Sequence, residues 1–445
     1  MLLLPALPAR ADEMRIPQPA ELQRDVDFWI RVYTEISTTE GFLHDERDLS
    51  LVYRKLRFAT DVTPKVRRAA VDAERRKVEV MLKRLAAGAT DLSADEQALA
   101  AMFGPVATPA RYATAARQVR FQLGQADRFR EGLERSGIWE DYIAQTLASF
   151  GLPPELAALP HVESSFNPAA YSKAGAAGLW QFMRGTGRMY LRVDDAVDER
   201  LDPFRATEAA AQLLDSNFRL LESWPLALTA YNHGPNGMKR ARDRLGTADI
   251  ATIMRNYSSP SFGFASRNYF VSFLAAQTID SNPEKYFSGL TRQPAMTFSE
   301  VEMPAFVPVS SLMRMLKVEK SAMVALNPAL RLPVWEGRQY VPKGYRLRLP
   351  EGIQQWTTMA LAQQIDAQDQ YSNQPRSRSH RVKAGDTLAA VASKYGLNAG
   401  TIAKLNGLKD GAELKVRSTL RLPDIPATHM TPGKGIMAAL VKPAV

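Results

Sequence analysis

HVESSFNPAAYSKAGAAGLWQFM, residues 161–183, sets one carboxylate, Glu163, among small, amide, hydroxyl and aromatic residues, and the next acid is Asp194. Just upstream, Leu156, Leu159 and Phe166 follow helical spacing. Glu163 lies four residues after Leu159 and three before Phe166, so it falls on the apolar stripe and not on the wet face. Pro160 either kinks that helix or starts it. A carboxylate held against apolar neighbours has its charged form disfavoured, so its pKa is expected to rise. A glutamate protonated near neutral pH can act as a general acid. Asn167-Pro168 then ends the helix, and the small residues from Ala169 to Gly178 let backbone approach a ligand closely.

The chain outside this stretch has 445 residues, room for two to four domains. Hydrophobic residues make up 45%, a globular composition. There is no cysteine, which excludes disulfides, thiolate catalysis, cysteine zinc sites and a lipid-anchored cysteine. The net charge of +10 suits a polyanionic partner such as nucleic acid, anionic lipid or bacterial wall. Residues 1–25 read as a secretory leader, with an A-x-A-like pattern at Ala9-Arg10-Ala11. No later run approaches the roughly 18 apolar residues of a membrane span.

Residues 26–140 read as a helical N-terminal region. Thr63-Pro64 opens one helix, Val71, Val78, Leu82 and Leu85 form its apolar stripe, and Gly88 follows its last turn. Its eight Lys and Arg residues, Lys65 to Arg84, are interrupted by acids and read as a solvated face, not a nucleic-acid patch. Ser93 and Glu96 form a capping box for the next helix. Residues 141–290 read as all-α, with Asp202-Pro203 and Trp224-Pro225 opening two more helices.

After residue 300 the texture changes. LNPAL (326–330) with YRLRLP (345–350), and LNGL (405–408) with STLRLP (418–423), form a weak internal repeat. The polar stretch between the copies reads as a linker over 356–379. The second copy, 380–423, predicts a strand ending at Gly385, a helix capped by Asp386 and stopped by Gly396, a helix capped by Asn398, and a closing strand from Thr419. That is a βααβ module. The tail 424–445 reads as loosely ordered.

Two resemblances follow from these residues. Glu163 to Gln181 is similar to the pattern E-S-x-F-x-P-x-A-x-S-x-x-G-A-x-G-L-W-Q of lytic transglycosylases with the goose-type-lysozyme-like fold, and every anchor position is met. Ala230-Tyr231-Asn232 resembles that family's Ala-Tyr-Asn motif, and Arg267-Asn268-Tyr269 its R-x-Y segment. The family often has a glutamate just before that segment, where this chain has Ala265. Residues 380–423 resemble the LysM domain, and the copy at 300–355 resembles a degenerate LysM lacking the Gly-Asp-Thr turn. Arg417 stands where LysM usually has glycine. The subgroup that joins the two domains is the membrane-bound D-type lytic murein transglycosylases.

The resemblance implies a mainly α fold: a lysozyme-like helical transglycosylase domain, a helical N-terminal region and small βααβ LysM modules. It implies cleavage of the MurNAc-GlcNAc bond of peptidoglycan without hydrolysis, with no cofactor and no metal, by a soluble protein of the Gram-negative periplasm. Glu163 would be the catalytic acid and base. Ser172, Gln181, Met183, Tyr231, Asn232 and Tyr269 would bind or orient substrate. Gly385, Asp386, Thr387 and Asn406 would meet glycan in the LysM module. The histidines show no metal spacing, and His161 and His233 read as packing or solvated residues. Two alternatives stay open: a muramidase using a second acid, with Asp194, Asp195 or Asp198 as candidates, and a non-catalytic wall-binding scaffold.

Overall fold

The computed structural model describes residues 15–409 and 412–430. The described residues form two compact units. Those up to Leu191 and Glu199–Met296 make the first, and Arg192–Asp198 with those from Thr297 onward make the second.

The first unit opens with α1 (Gln23–Thr34), β1 (Glu40–Asp45), β2 (Val52–Arg57), α2 (Pro64–Ala86), α3 (Ala94–Ala101), α4 (Pro109–Ala115), β3 (Val119–Leu123), α5 (Ala126–Ser136) and α6 (Glu140–Ser149). Helix α1 starts inside the stretch read as a leader and buries Val26, Phe28, Trp29, Val32 and Tyr33. The Ala9–Ala11 pattern lies outside the described residues. The two predicted caps form. The Thr63 side chain accepts from Val66 N. Ser93 Oγ accepts from Glu96 N at 3.3 Å, while Glu96 accepts from Ser93 N at 2.8 Å. Val71, Val78, Leu82 and Leu85 are the buried face of α2.

The N-terminal region is not purely helical, contrary to its sequence reading. Strands β2-β1-β3 form an antiparallel sheet. Each strand has five or six residues, and β1 buries Phe42, Leu43, His44 and Asp45 in succession. So short and unalternating a run gives period-based reading little to detect. Nor is the region a separate body: Trp29 of α1 packs on Phe264 with ring centroids 6.3 Å apart, and Asp25 pairs with Arg255.

The rest of this unit is α7 (Leu159–Ser164), α8 (Arg184–Gly187), α9 (Pro203–Leu221), α10 (Trp224–His233), α11 (Pro235–Leu245), α12 (Ile250–Asn256) and α13 (Phe264–Asp280). Asp202 caps α9 by accepting from Phe204 N and Arg205 N at 3.0 and 3.2 Å. Helix α13 is buried along most of its length and forms the spine of the unit.

The second unit holds β4 (Phe298–Glu302), α14 (Val309–Leu316), α15 (Lys320–Leu326), α16 (Leu332–Trp335), β5 (Arg346–Pro350), α17 (Thr358–Gln364), β6 (Arg376–Arg381), α18 (Leu388–Tyr395), α19 (Ala399–Leu405) and β7 (Thr419–Ile425). Strands β4 and β5 pair antiparallel, as do β6 and β7. The two copies close by one shared device. Asn327 receives Arg348 N at 3.0 Å and donates to Arg348 O at 2.8 Å. Asn406 does the same with Arg421, at 2.8 and 2.7 Å. The weak Leu-Asn repeat is thus a side-chain clasp between the second helix and the last strand.

The stretch read as a linker is packed. Leu361 of α17 and Ile365 join the core formed by Val301, Leu312 and Leu347. Tyr371 N donates to Phe306 O at 2.9 Å. Its few apolar residues are too sparse to make a period, yet they suffice to hold a seven-residue helix on an existing core.

Arg417 has φ +69°, the left-handed region a glycine adopts without strain. Arg417→Gly is therefore expected to stabilise the β6–β7 module by about 1 kcal/mol. Urea unfolding followed by amide exchange in α18 and α19 would check this. A lower midpoint would mean that the arginine stem does more than endure the turn. Among the described residues no helix is long and apolar enough to cross a membrane.

Candidate active site

Helix α7 starts at Leu159, so Pro160 occupies its first turn, where no N–H is needed. Glu163 sits in its last turn. The chain then passes through Ser165 and Phe166, two consecutive left-handed residues at φ +50° and +54°. Such non-glycine conformations persist only where the surroundings impose them, and they concentrate at functional sites. Ser164 Oγ donates to Leu179 O at 2.7 Å and draws the small-residue loop back over the helix end.

The loop is locked from below. Gly178, at φ +81°, leaves no room for a Cβ, which would meet Arg200 O at 1.7 Å. The buried Arg200 guanidinium donates to Gly175 O at 2.9 Å and Phe182 O at 3.1 Å. Gln181, itself at φ +48°, donates Nε2 to Gly178 O at 2.8 Å and Ala170 O at 3.1 Å. The amide nitrogen is thereby committed to the loop.

Glu163 remains partly open to solvent. The protein around its carboxyl nevertheless pushes its pKa up to about 7, chiefly by burial, with an opposing pull from the Tyr269 hydroxyl. That hydroxyl donates to Glu163 Oε1. Tyr231 donates to Trp180 O at 2.9 Å. Burial first, and then the Glu163 charge, hold both tyrosine hydroxyls well above their ordinary range, so they remain donors.

The expected site residues fall into two groups. Glu163, Tyr269, Tyr231 and Gln181 form a connected core, and their hydrogen bonds to one another or to the loop fix their places. Ser172, Met183 and Asn232 are exposed. Ser172 Oγ accepts from Ala176 N at 3.0 Å, Met183 is 46% exposed, and Asn232 Oδ1 accepts from Ser266 Oγ at 2.8 Å. Ser266 and Arg200 were not legible in the sequence. Each acts on a partner 18 to 34 residues away in the chain, and no local pattern marks that. Tyr33, from α1, also faces Glu163 closely enough to feel its charge.

His161 is buried, stacked on Phe129 at 4.8 Å and 3.3 Å from Asp280, and His233 packs on Phe262 at 5.0 Å. Among the described residues no group of His, Asp and Glu could hold a metal. The acids proposed as second carboxylates are engaged in the second unit. Asp194 pairs with Arg192 at 2.6 Å and caps Ala196 N and Val197 N at 2.8 Å, Asp195 lies 3.9 Å from Arg331, and Asp198 is buried, 4% exposed.

In the second copy a cavity of about 560 Å³ lies between Asp386–Ala389, Ala399 and Ala412–Leu414. Gly385 takes φ +86° at its edge. Thr387, not Asp386 as the sequence reading had it, caps α18. Asp386 instead bonds His380 Nε2 and Lys383 N, both at 2.7 Å, and the histidine bond holds its carboxyl below the usual range. The Asn406 side chain donates to Ile402 O and Arg421 O and accepts from Arg421 N, which ties the end of α19 to β7.

With this geometry in hand, comparison with known proteins is direct. Residues 141–254 match the transglycosylase SLT domain and residues 380–423 match the LysM domain. The chain therefore carries a transglycosylase domain joined to a LysM module. It is homologous to the membrane-bound lytic murein transglycosylase D of Escherichia coli (strain K12), at 28% identity over 288 residues, 63% of this chain and 62% of the relative. The match thus spans somewhat less than two thirds of that relative's length. Among solved structures, the lytic transglycosylase Slt of Pseudomonas aeruginosa matches at 20% identity and TM-score 0.28, covering 35% of this chain and 25% of that one. The 70 kDa soluble lytic transglycosylase of Escherichia coli matches at 22% and 0.28, covering 34% and 24%.

Proposed function

We propose that this chain is a peptidoglycan lytic transglycosylase that cleaves the β-1,4 bond between MurNAc and GlcNAc and leaves a 1,6-anhydro-MurNAc end. The observation that carries this reading is the Glu163 carboxyl at the end of α7, bonded by the Tyr269 hydroxyl and raised to about 7 chiefly by burial. Most glycosidases need two carboxylates, one as acid and one as base or nucleophile. An intramolecular transfer needs one.

Glu163 protonates the glycosidic oxygen, and the C1–O bond breaks with the electron pair leaving on that oxygen. The substrate's own N-acetyl oxygen stabilises the cation at C1, a substrate-assisted route. Glu163, now ionised, takes the proton from the MurNAc 6-hydroxyl, whose oxygen bonds to C1. The acid is regenerated and no water is consumed. One group serving as acid and then base works best with a pKa near the working pH. Tyr269 orients the carboxyl, while Gln181 Oε1, Ser172, Asn232 and Met183 line the path of the glycan strand.

The LysM module holds the enzyme on its polymer and raises the effective concentration of cleavable bonds. The net charge of +10 adds attraction to anionic wall peptides. The periplasm of a Gram-negative cell is the compartment where such a substrate lies.

The test is a digest of purified peptidoglycan resolved by mass spectrometry. Products one water lighter than hydrolysed ends are the expected outcome. Reducing-end products would assign a muramidase instead. Wall binding with no released product would assign a scaffold.

A further inference from the structure

Helix α1 lies in the part of the chain that the transglycosylase and LysM matches leave uncovered, yet it reaches the site. Tyr33, in its last turn, is 3% exposed. Its ring stacks on Phe129 of α5, with centroids 4.8 Å apart and planes at 28°. Phe129 stacks in turn on His161, at 4.8 Å and 20°. His161 stands two residues before Glu163 on α7. An aromatic column therefore runs from α1 through α5 to the helix that carries the acid.

The polar end of Tyr33 serves the other side of the same carboxyl. Its hydroxyl lies beside Ser272 of α13. Ser272 Oγ donates to the carbonyl of Tyr269 at 2.8 Å, and the Tyr269 hydroxyl donates to Glu163. Tyr33 thus stacks into the column behind the acid's helix and stands next to the serine that holds the Tyr269 carbonyl.

We propose that Tyr33 is a positioning residue of the acid/base centre. Its ring closes the apolar wall behind Glu163, and its hydroxyl, through Ser272, sets where Tyr269 stands. This rests on the acid/base role of Glu163 given above. It gives the N-terminal segment a function: α1 is part of the catalytic framework.

The two halves of the role separate by substitution. Tyr33→Ala opens the wall to water, so the Glu163 carboxyl should ionise more easily. Tyr33→Phe keeps the wall and releases Ser272. Phe28→Ala is the control. Phe28 is 2% exposed on the same helix, but its ring packs on Phe42, at 6.1 Å, and on His44, outside the column.

The experiment is a carbon-13 titration of glutamate side chains in the full chain, with Glu163→Gln to assign the signal, alongside kcat and KM on purified peptidoglycan. Tyr33→Ala is expected to lower the Glu163 midpoint by about one pH unit and kcat by about tenfold or more, with KM little changed. Tyr33→Phe is expected to keep the midpoint and lower kcat by about threefold to tenfold. Phe28→Ala should lower the melting temperature and leave both readouts alone.

A folded Tyr33→Ala with the wild-type midpoint and kcat, or equal shifts from Phe28→Ala, overturns the proposal. Should Tyr33→Ala fail to fold, Tyr33→Phe decides alone, since a wild-type kcat there overturns the hydroxyl relay. A wild type whose Glu163 titrates as described and shifts in Tyr33→Ala, yet releases no product, supports the positioning of the carboxyl and overturns the enzymatic reading instead.

Discussion

Glu163→Gln is expected to abolish turnover of peptidoglycan while making the first unit more stable at alkaline pH. The loss follows from chemistry: glutamine keeps the shape but can neither give nor take the proton, and positioned acid–base transfer is worth about 10² to 10⁴ in rate per step. On the mechanism proposed for Glu163 one group serves two steps, so the measured kcat should fall by at least about a thousandfold. In the wild type, the acid must be protonated to begin, so kcat/KM should decline as pH rises through about 7.

The gain in stability comes from the same shift. The unfolded chain releases this proton near 4.5 and the folded chain near 7. Between those values the folded state binds more protons, so stability falls as pH rises. The full penalty above the folded midpoint is on the order of 3 kcal/mol. Glutamine never ionises and escapes it. Thermal unfolding should therefore show Glu163→Gln melting several degrees above wild type at pH 8, with the gap closing by about pH 5. Equal melting temperatures at both values would mean that the carboxyl ionises freely and would remove the physical basis for its role.

Gly178→Ala is expected to be the most damaging single methyl in the molecule. Two effects add. The residue holds φ +81°, which costs an alanine about 1–2 kcal/mol. Its Cβ would also lie 1.7 Å from Arg200 O and 2.7 Å from Arg200 C. That backbone cannot retreat cheaply, because the Arg200 side chain is bonded to Gly175 O and Phe182 O. Overpacking of this kind typically costs a further 1–3 kcal/mol, roughly, and more against fixed backbone. Gly175→Ala is the matched comparison: φ is +88°, but nothing lies within 4 Å of the added methyl. Urea unfolding of the two variants should place Gly178→Ala below Gly175→Ala by at least about 2 kcal/mol. Equal midpoints would show that the loop relaxes around the clash and that its close approach to Arg200 is not required.

The residues of the candidate site were legible because they are local. Glu163, its place on an apolar stripe, the small residues that follow and the amide at Gln181 all fall within a few turns of chain, and spacing reports them. The βααβ module was legible for the same reason, since its caps at Asn398 and its stop at Gly396 are short-range signals. The cap at Thr387 was misplaced by one residue, because Asp386 and Thr387 can both accept from a helix N-terminus. Which of them does so was decided by His380 arriving to engage the aspartate.

What the sequence alone determined is therefore the acid's place on an apolar stripe, the small-residue backbone that follows it and the repeated modules later in the chain. Only the tertiary structure decided what surrounds the acid. Tyr269 stands 106 residues downstream of Glu163, Arg200 grips carbonyls 18 and 25 residues upstream, and the N-terminal sheet joins β3 to β1 across α2, α3 and α4. None of these pairings carries a period or a motif. They arise as the chain collapses to take apolar faces out of water, as where Trp29 of α1 packs on Phe264 of α13. A carboxyl's pKa is set by the distance and burial of such neighbours, so it belongs to the fold and not to the glutamate.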